Sequence, residues 1–371
     1  MTIERKKYDL PLRIACMVMM VVAVLGIVVR SAYGGGFISR LLVLTGLREE
    51  ESVVSDYLFT GESFAMAGDK LAVASSVGAQ LIDESGTTLS AERFAMDVPA
   101  VSTSDSVSLF YDVGGTALCV ITEDGESILS ASENPIRFGD VSEDGYITLV
   151  TEMPAYRGQV SVYSSSFSPV FTLNCGVSGY PLTARVSPSG HLVINCVGSM
   201  GSVLRFYSLK SEKELACYEE DERLILDFDF MQDGCLAALT EEALCFLDDT
   251  GHMLSTVEFD DMVLSDYCLT GHSVLVLLHS DLTGSKGVLR SYNRRGELIG
   301  ELELDRSVYS LSTLGKQVLV LYPSELTLYH EDFSSDISYQ RVANSTLCLM
   351  AAEDKALLLG RSGAELIRFH S

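Results

Sequence analysis

The side chains able to do chemistry are plentiful in this sequence but scattered. Six histidines are present, at His191, His252, His272, His279, His330 and His370. None stands in the H-x-x-x-H or H-E-x-x-H spacing that puts two imidazoles on one helix face to hold zinc. The stretch DFDFMQDG, with Asp227, Asp229 and Asp233, has the alternating carboxylates of a calcium loop. Phe228 and Phe230 between them instead fit a strand running into a turn, so no metal is expected. Neither a G-x-S-x-G elbow nor the phosphate-binding patterns G-x-x-x-x-G-K-[ST] and G-x-G-x-x-G occurs, which leaves nucleophilic acyl chemistry and nucleotide chemistry without a foothold. A carboxylate pair assembled from distant segments would serve a glycan hydrolase or lyase. With 51 Asp and Glu in the chain, such a pair could form without any local signature.

Nine cysteines are present, none in a C-x-x-C. Cys16 lies in an apolar amino-terminal run, and Cys119, Cys175, Cys196, Cys217, Cys235, Cys245, Cys268 and Cys348 follow it. Most sit in runs such as ALCVI, LVINC and TLCLM, where cysteine behaves as a small hydrophobe. Buried free thiols are the leading expectation, with disulfides the alternative and metal ligation the least favoured. Eight free thiols would sit awkwardly in an oxidising exterior.

The net charge is -25, although the first 48 residues hold seven basic and two acidic side chains. A body this acidic repels phosphate backbones, so no nucleic-acid partner is expected. Ile14 to Val29, IACMVMMVVAVLGIVV, is uncharged and flanked by Arg13 and Arg30. Sixteen helical residues cover about 24 Å, and the span reaches the roughly 30 Å hydrocarbon core when Leu10 and Leu12 join it. The expected layout is a cytoplasmic basic tail over 1–13, a transmembrane signal anchor over 10–30, a juxtamembrane hinge and short helix over 31–51, and one body over 52–371. A cleavable signal is the rival reading of the same segment, and a buried core helix a third. Basic residues flank the span on both sides, with a weak excess before it that favours an extracytoplasmic body.

The phrases VSEDGYITLV, VSPSGHLVIN and FMQDGCLAAL place Gly145, Gly190 and Gly234 at intervals of 45 and 44 residues. Gly271 and Gly315 are again 44 apart. A period of 40 to 45 residues marks a repeat fold. A second turn recurs in DESGTTL, TEDGESI, DDTGHML and NRRGELI, so each unit reads as four short strands, a to d. The b strands are almost continuously apolar, as in LVIN, LAAL and VLVLL, which requires cover on both faces. Tyr163, Tyr207, Tyr292 and Tyr329, each ending a c strand, are expected to pack between units.

The fold class is therefore all-β: a β-propeller of eight blades, with seven as second choice, preceded by one transmembrane α-helix. The last unit, 346–371, supplies three strands, and SVVSDYL at 52–58 is expected to close it as the fourth. That closure puts the tether on the face of the a–b and c–d turns and turns the d–a and b–c loops away from the membrane. Three b–c loops on that distal face are enlarged, at 151–159, 196–202 and 279–287. Together with SGYP at 178–181 they supply the expected binding residues Tyr156, Arg157, Tyr180, Asp281 and Lys286, because loops on a rigid scaffold are where recognition concentrates.

With its amino-terminal apolar segment and recurring DG turns, nearly the whole chain resembles a bacterial family of unknown function: single-pass membrane-anchored WD40-like or quinoprotein-like propellers. The resemblance implies an extracytoplasmic anchored propeller and carries over no functional residue. Quinone-dependent relatives typically use a tryptophan platform, and this chain has no tryptophan, so no cofactor is expected. The leading expectation is a noncatalytic binding or scaffold module for an envelope protein, peptide or glycan. The alternative is a membrane-anchored propeller enzyme, for which convergent carboxylates at the ring axis would speak, while an axis filled with side chains would speak for the module.

Overall fold

The computed structural model describes residues 54–176, 179–231, 234–269, 271–280, 286–340 and 345–369. The basic tail, the apolar span and the hinge with its short helix all lie outside the described residues. Within them every element is a strand, and no helix is long and apolar enough to cross a membrane. The strands form eight four-stranded antiparallel sheets, in the period expected from the turn glycines. Gly145, Gly190 and Gly234 take φ of 78°, 76° and 82°, a left-handed conformation that a side chain resists.

Seven blades follow the chain a-b-c-d at 63–92, 99–131, 136–175, 180–221, 225–258, 263–304 and 310–340. The eighth takes Leu347–Ala352, Lys355–Leu359 and Gly363–Arg368 from the carboxy-terminal segment, and its outer strand is Val54–Asp56. Val54 pairs with Glu365, Ser55 with Ala364 and Asp56 with Gly363. Tyr57 N and Gly61 N extend the seam by donating to Ser362 O and Arg361 O at 3.0 and 2.8 Å.

The b strands are buried along their length, as in Val107–Asp112, Ile147–Thr151 and Val274–His279. Continuous apolar sequence and two-sided burial are the same fact, because each sheet is covered by both neighbours. The core accordingly divides into eight clusters, one per blade interface; Val150, Val160 and Val162 of blade three, for example, pack against Ala184, Leu192 and Ile194 of blade four. Outer strands such as Met253–Glu258 alternate exposed with half-buried residues and present their polar side to solvent. Tyr207, Tyr292 and Tyr329 are buried in inter-blade clusters and Tyr163 is half-buried against another, as expected.

Candidate functional site

Four inner strands share a local irregularity. Where the inner strand of blades three to six leaves the d–a loop, its pairing with strand b slips by one residue, at Arg137, Leu182, Leu226 and Ser265. Blades one, two and seven pair there without interruption. An extra residue on one strand bends and twists it and re-aims the side chains that follow. Each extra residue is exposed, at the loop-face end of its inner strand, and the residues after it turn inward.

Those re-aimed side chains meet. Asp140 and Arg185 occupy the third position after the bulge in blades three and four, and Asp227 and Asp229 the first and third in blade five. Arg185 Nη1 lies 2.7 Å from Asp227 Oδ1 and also donates to Phe228 O, while Nε faces Asp140 Oδ1 at 3.3 Å and Asp229 Oδ2 at 3.5 Å. Phe138 and Phe228 flank the guanidinium, their ring centroids 5.1 and 5.4 Å from Cζ, a cation–π sandwich. Tyr267 of blade six donates its hydroxyl to Asp227 Oδ2 at 3.3 Å. One cation thus ties three consecutive blades at the axis, Asp227 passes the link on to a fourth, and three carboxylates compete for the guanidinium. Burial drives the Asp140 carboxyl up to about 7, with Arg185 pulling it back and Asp229 and Asp227 pushing it further. Burial also raises Asp229 and, one blade on, Asp266. For Arg185, burial disfavours the charge, but the three aspartates outweigh it and hold the guanidinium firmly protonated.

The axis therefore combines both sequence expectations: carboxylates converge, and a side chain fills the space between them. Its chemistry is that of a charged pin able to hold one extra proton near neutrality. Among the described residues no group of three or more His, Cys, Asp and Glu is placed to hold a metal ion. Asp227 and Asp229 lie in the expected strand, Ile225–Phe230, and Asp233 is outside the described residues. Arg185 was missed as a site residue. The signal was present, since Asp140, Arg185 and Asp229 each stand five residues before a turn glycine.

The loop face carries the second constellation. Tyr156 and Tyr180 are exposed by 48% and 50%, and the Arg157 guanidinium lies over the Tyr180 ring at 5.0 Å. Three of the five expected binding residues are thus gathered at the join of blades three and four. Ala155, with φ of 70°, turns the chain just before them. Met200, exposed by 72%, and the bulge residue Leu182 add apolar surface on blade four. Lys286 is exposed on blade six, with its carbonyl 3.2 Å from His279 Nδ1, two blades from the trio. Asp281 lies outside the described residues. Further round the face, Leu226, Met262 and Val263 line a cleft of about 740 Å³ with Glu241, Glu242 and Asp260. Arg223 bridges its rim to Glu242 at 3.4 Å and Glu258 at 3.1 Å.

Comparison with known proteins places this geometry among propellers. A model described as "Family of unknown function (DUF5711)" matches residues 48–368. No curated protein matches the chain. Among solved structures, the C-terminal WD40 domain of Sif2 aligns with a TM-score of 0.62 at 13% identity, over 87% of this chain and 98% of that one. BamB from Moraxella catarrhalis aligns at 0.55 and 15% identity, covering 85% and 100%. The quinohemoprotein alcohol dehydrogenase ADHIIG from Pseudomonas putida HK5 aligns at 0.57 and 9% identity, covering 85% and 75%. Identities this low speak for the fold alone.

Proposed function

Since this chain belongs to the DUF5711 family, whose function is unknown, we propose from its own geometry that it is a membrane-tethered, noncatalytic binding propeller. Its loop face meets a protein, peptide or glycan of the cell envelope. The observation that carries this reading is the exposed Tyr156–Arg157–Tyr180 cluster with Met200 and Leu182 beside it. Tyrosine, arginine and methionine are the residues enriched where partners bury surface, and this set stands on the strand Tyr180–Val186 and on short loops held by strands at both ends. The tether is the apolar segment at 10–30, and the body lies outside the cytoplasm.

A photo-crosslinking amino acid at position 180 in living cells tests the surface, with position 254 as control, because Leu254 is also exposed but follows a c–d turn on the opposite face. The expected result is a discrete adduct at 180 and none at 254, and purified adduct partner binding Tyr180→Ala at least tenfold more weakly. Equal labelling at the two positions would defeat the reading. Cys217, the exposed cysteine among those described, tests the side of the membrane: an impermeant maleimide reaches it in intact cells only when the body is outside.

A second reading, an acid–base enzyme on an extracytoplasmic carbohydrate, draws support from the raised Asp140 carboxyl among other carboxylates. Against it stands Arg185, which occupies the space a substrate would need. Glycan turnover that Asp140→Asn abolishes while crosslinking at 180 persists would favour this reading.

A further inference from the structure

Two thiols from different blades meet behind the exposed tyrosine cluster. Cys175 ends the outer strand of blade three and Cys196 lies in strand b of blade four; both are 1% exposed and belong to one inter-blade cluster with Tyr207. The Cys196 thiol hydrogen-bonds to Cys175. The join is tight at this level, since a Cβ on Gly158, the pairing partner of Cys175, would come within 2.6 Å of Pro181, the pairing partner of Cys196. Arg157 N donates to Cys175 O at 2.8 Å, and Tyr180 pairs with Val197. The thiol pair and the binding cluster therefore share their backbone.

The surroundings single out Cys175 as the nucleophile. The hydrogen bond from Cys196 lowers its pKa against the cost of burial, and the charge of Arg205 lowers it further. Arg205 is held by Glu214 at 2.6 Å through Nη1, while its buried Nε has no hydrogen-bond partner. Burial, with a nearby carboxylate, moves other thiols the opposite way: Cys119, Cys268 and Cys348 are pushed up to about 12. A thiolate favoured by a donor and a cation is the chemically competent form for exchange.

We propose that Cys175 and Cys196 are a redox pair that exchanges with a small-molecule disulfide to form an inter-blade disulfide locking blade three to blade four behind Tyr156, Arg157 and Tyr180. The Cys175 thiolate attacks one sulfur of R–S–S–R and releases RS⁻. Cys196 then gives up its proton and attacks Cys175 Sγ, releasing the second RS⁻. Two protein thiols are oxidised to one disulfide, R–S–S–R is reduced to two thiols, and two protons are passed to the leaving groups. Because both sulfurs are buried, exchange proceeds through local opening of this join.

The experiment uses the reduced full-length protein under native conditions, treated with oxidised glutathione, quenched with maleimide and mapped by peptide mass. The expected result is a Cys175–Cys196 linked pair formed ahead of any other, with two thiols lost, reversal by dithiothreitol and a melting temperature raised by a few degrees. Cys175→Ala abolishes the link and the thermal shift, whereas Cys245→Ala leaves both. A glutathione adduct that persists on Cys175 without resolution, or linkage that appears only after unfolding in urea, would overturn the proposal. The outcome does not depend on the partner or on the membrane side.

Discussion

The ring is built from two unlike semicircles. In blades seven, eight, one and two the inner strands are SLSTL, LCLMAA, SFAMA and PAVST, without a charged residue. Hydroxyls stitch them together: Ser312 Oγ accepts from Met350 N at 3.0 Å, Ser310 Oγ from Cys348 N at 3.3 Å, and Thr103 Oγ1 donates to Met66 O at 2.5 Å. In blades three to six the inner strands are bulged and carry Asp140, Arg185, Asp227, Asp229 and Asp266, and a shared guanidinium replaces the hydroxyls. The exposed tyrosine cluster and the acidic cleft lie on the bulged side as well. The lesson is that the repeat builds one arc from uncharged inner strands, slipped only at Ala351 of blade eight and there at the far end of the strand, and departs from it along one contiguous arc of loop-face bulges that re-aim charged side chains.

The sharpest way to break this contrast is Arg185→Met. It strands three half-buried carboxylates, and the expected loss is about 3 kcal/mol of unfolding free energy, the lower end of what breaking a fully buried pair costs, measured by urea denaturation. The loss should be greater at pH 8 than at pH 5, because protonation can neutralise carboxylates left without their cation. A small, pH-independent loss would mean that the arginine is not what joins blades three, four and five.

Asp140→Asn sharpens the same point without removing the cation. An unfolded carboxyl titrates near 4 and the folded Asp140 at about 7, so the native state holds the extra proton. Stability from this group is complete below the unfolded value and is lost as pH rises from about 4 through about 7. The amide variant should therefore show a flatter stability profile across that window and overtake the parent at pH 8. An unchanged slope would remove Asp140 as the proton holder. The mildest expected effect lies in the other semicircle, where Ser312→Ala leaves Met350 N without its acceptor at a cost of about 1–2 kcal/mol, with no pH dependence. Should that loss match Arg185→Met, the two arcs would be energetically alike and the distinction only one of composition.

Much of this was legible in the chain. The glycine intervals gave the blade count, and the shortfall of one strand in 346–371 pointed to residues near Val54 as its completion. The loop trio was readable because enlarged b–c and d–a connections on adjacent blades must be neighbours. Arg185 stayed hidden since a lone charge in PLTARV looks like strand edge; only its phase against Asp140 and Asp229, five residues before each glycine, betrays the cluster. The bulges were invisible for a simpler reason: one added residue per strand is absorbed by variable turns and leaves the period nearly intact. Cys175 and Cys196 are 21 positions apart with no motif around them, and only blade-on-blade packing brings their sulfurs together.

The borrowed strand of blade eight imposes a timetable. Val54–Asp56 is synthesised more than three hundred residues before Gly363–Arg368, its sheet partner among the described residues, so this strand must wait for that partner until residues 363–368 are made. Long-range pairing of this kind is slow to find and leaves edges exposed meanwhile. Blades one to seven can assemble in order as they appear, but the circle becomes whole only once residues 363–368 are made, and a chain halted before residue 363 would be left as an open arc with two raw ends.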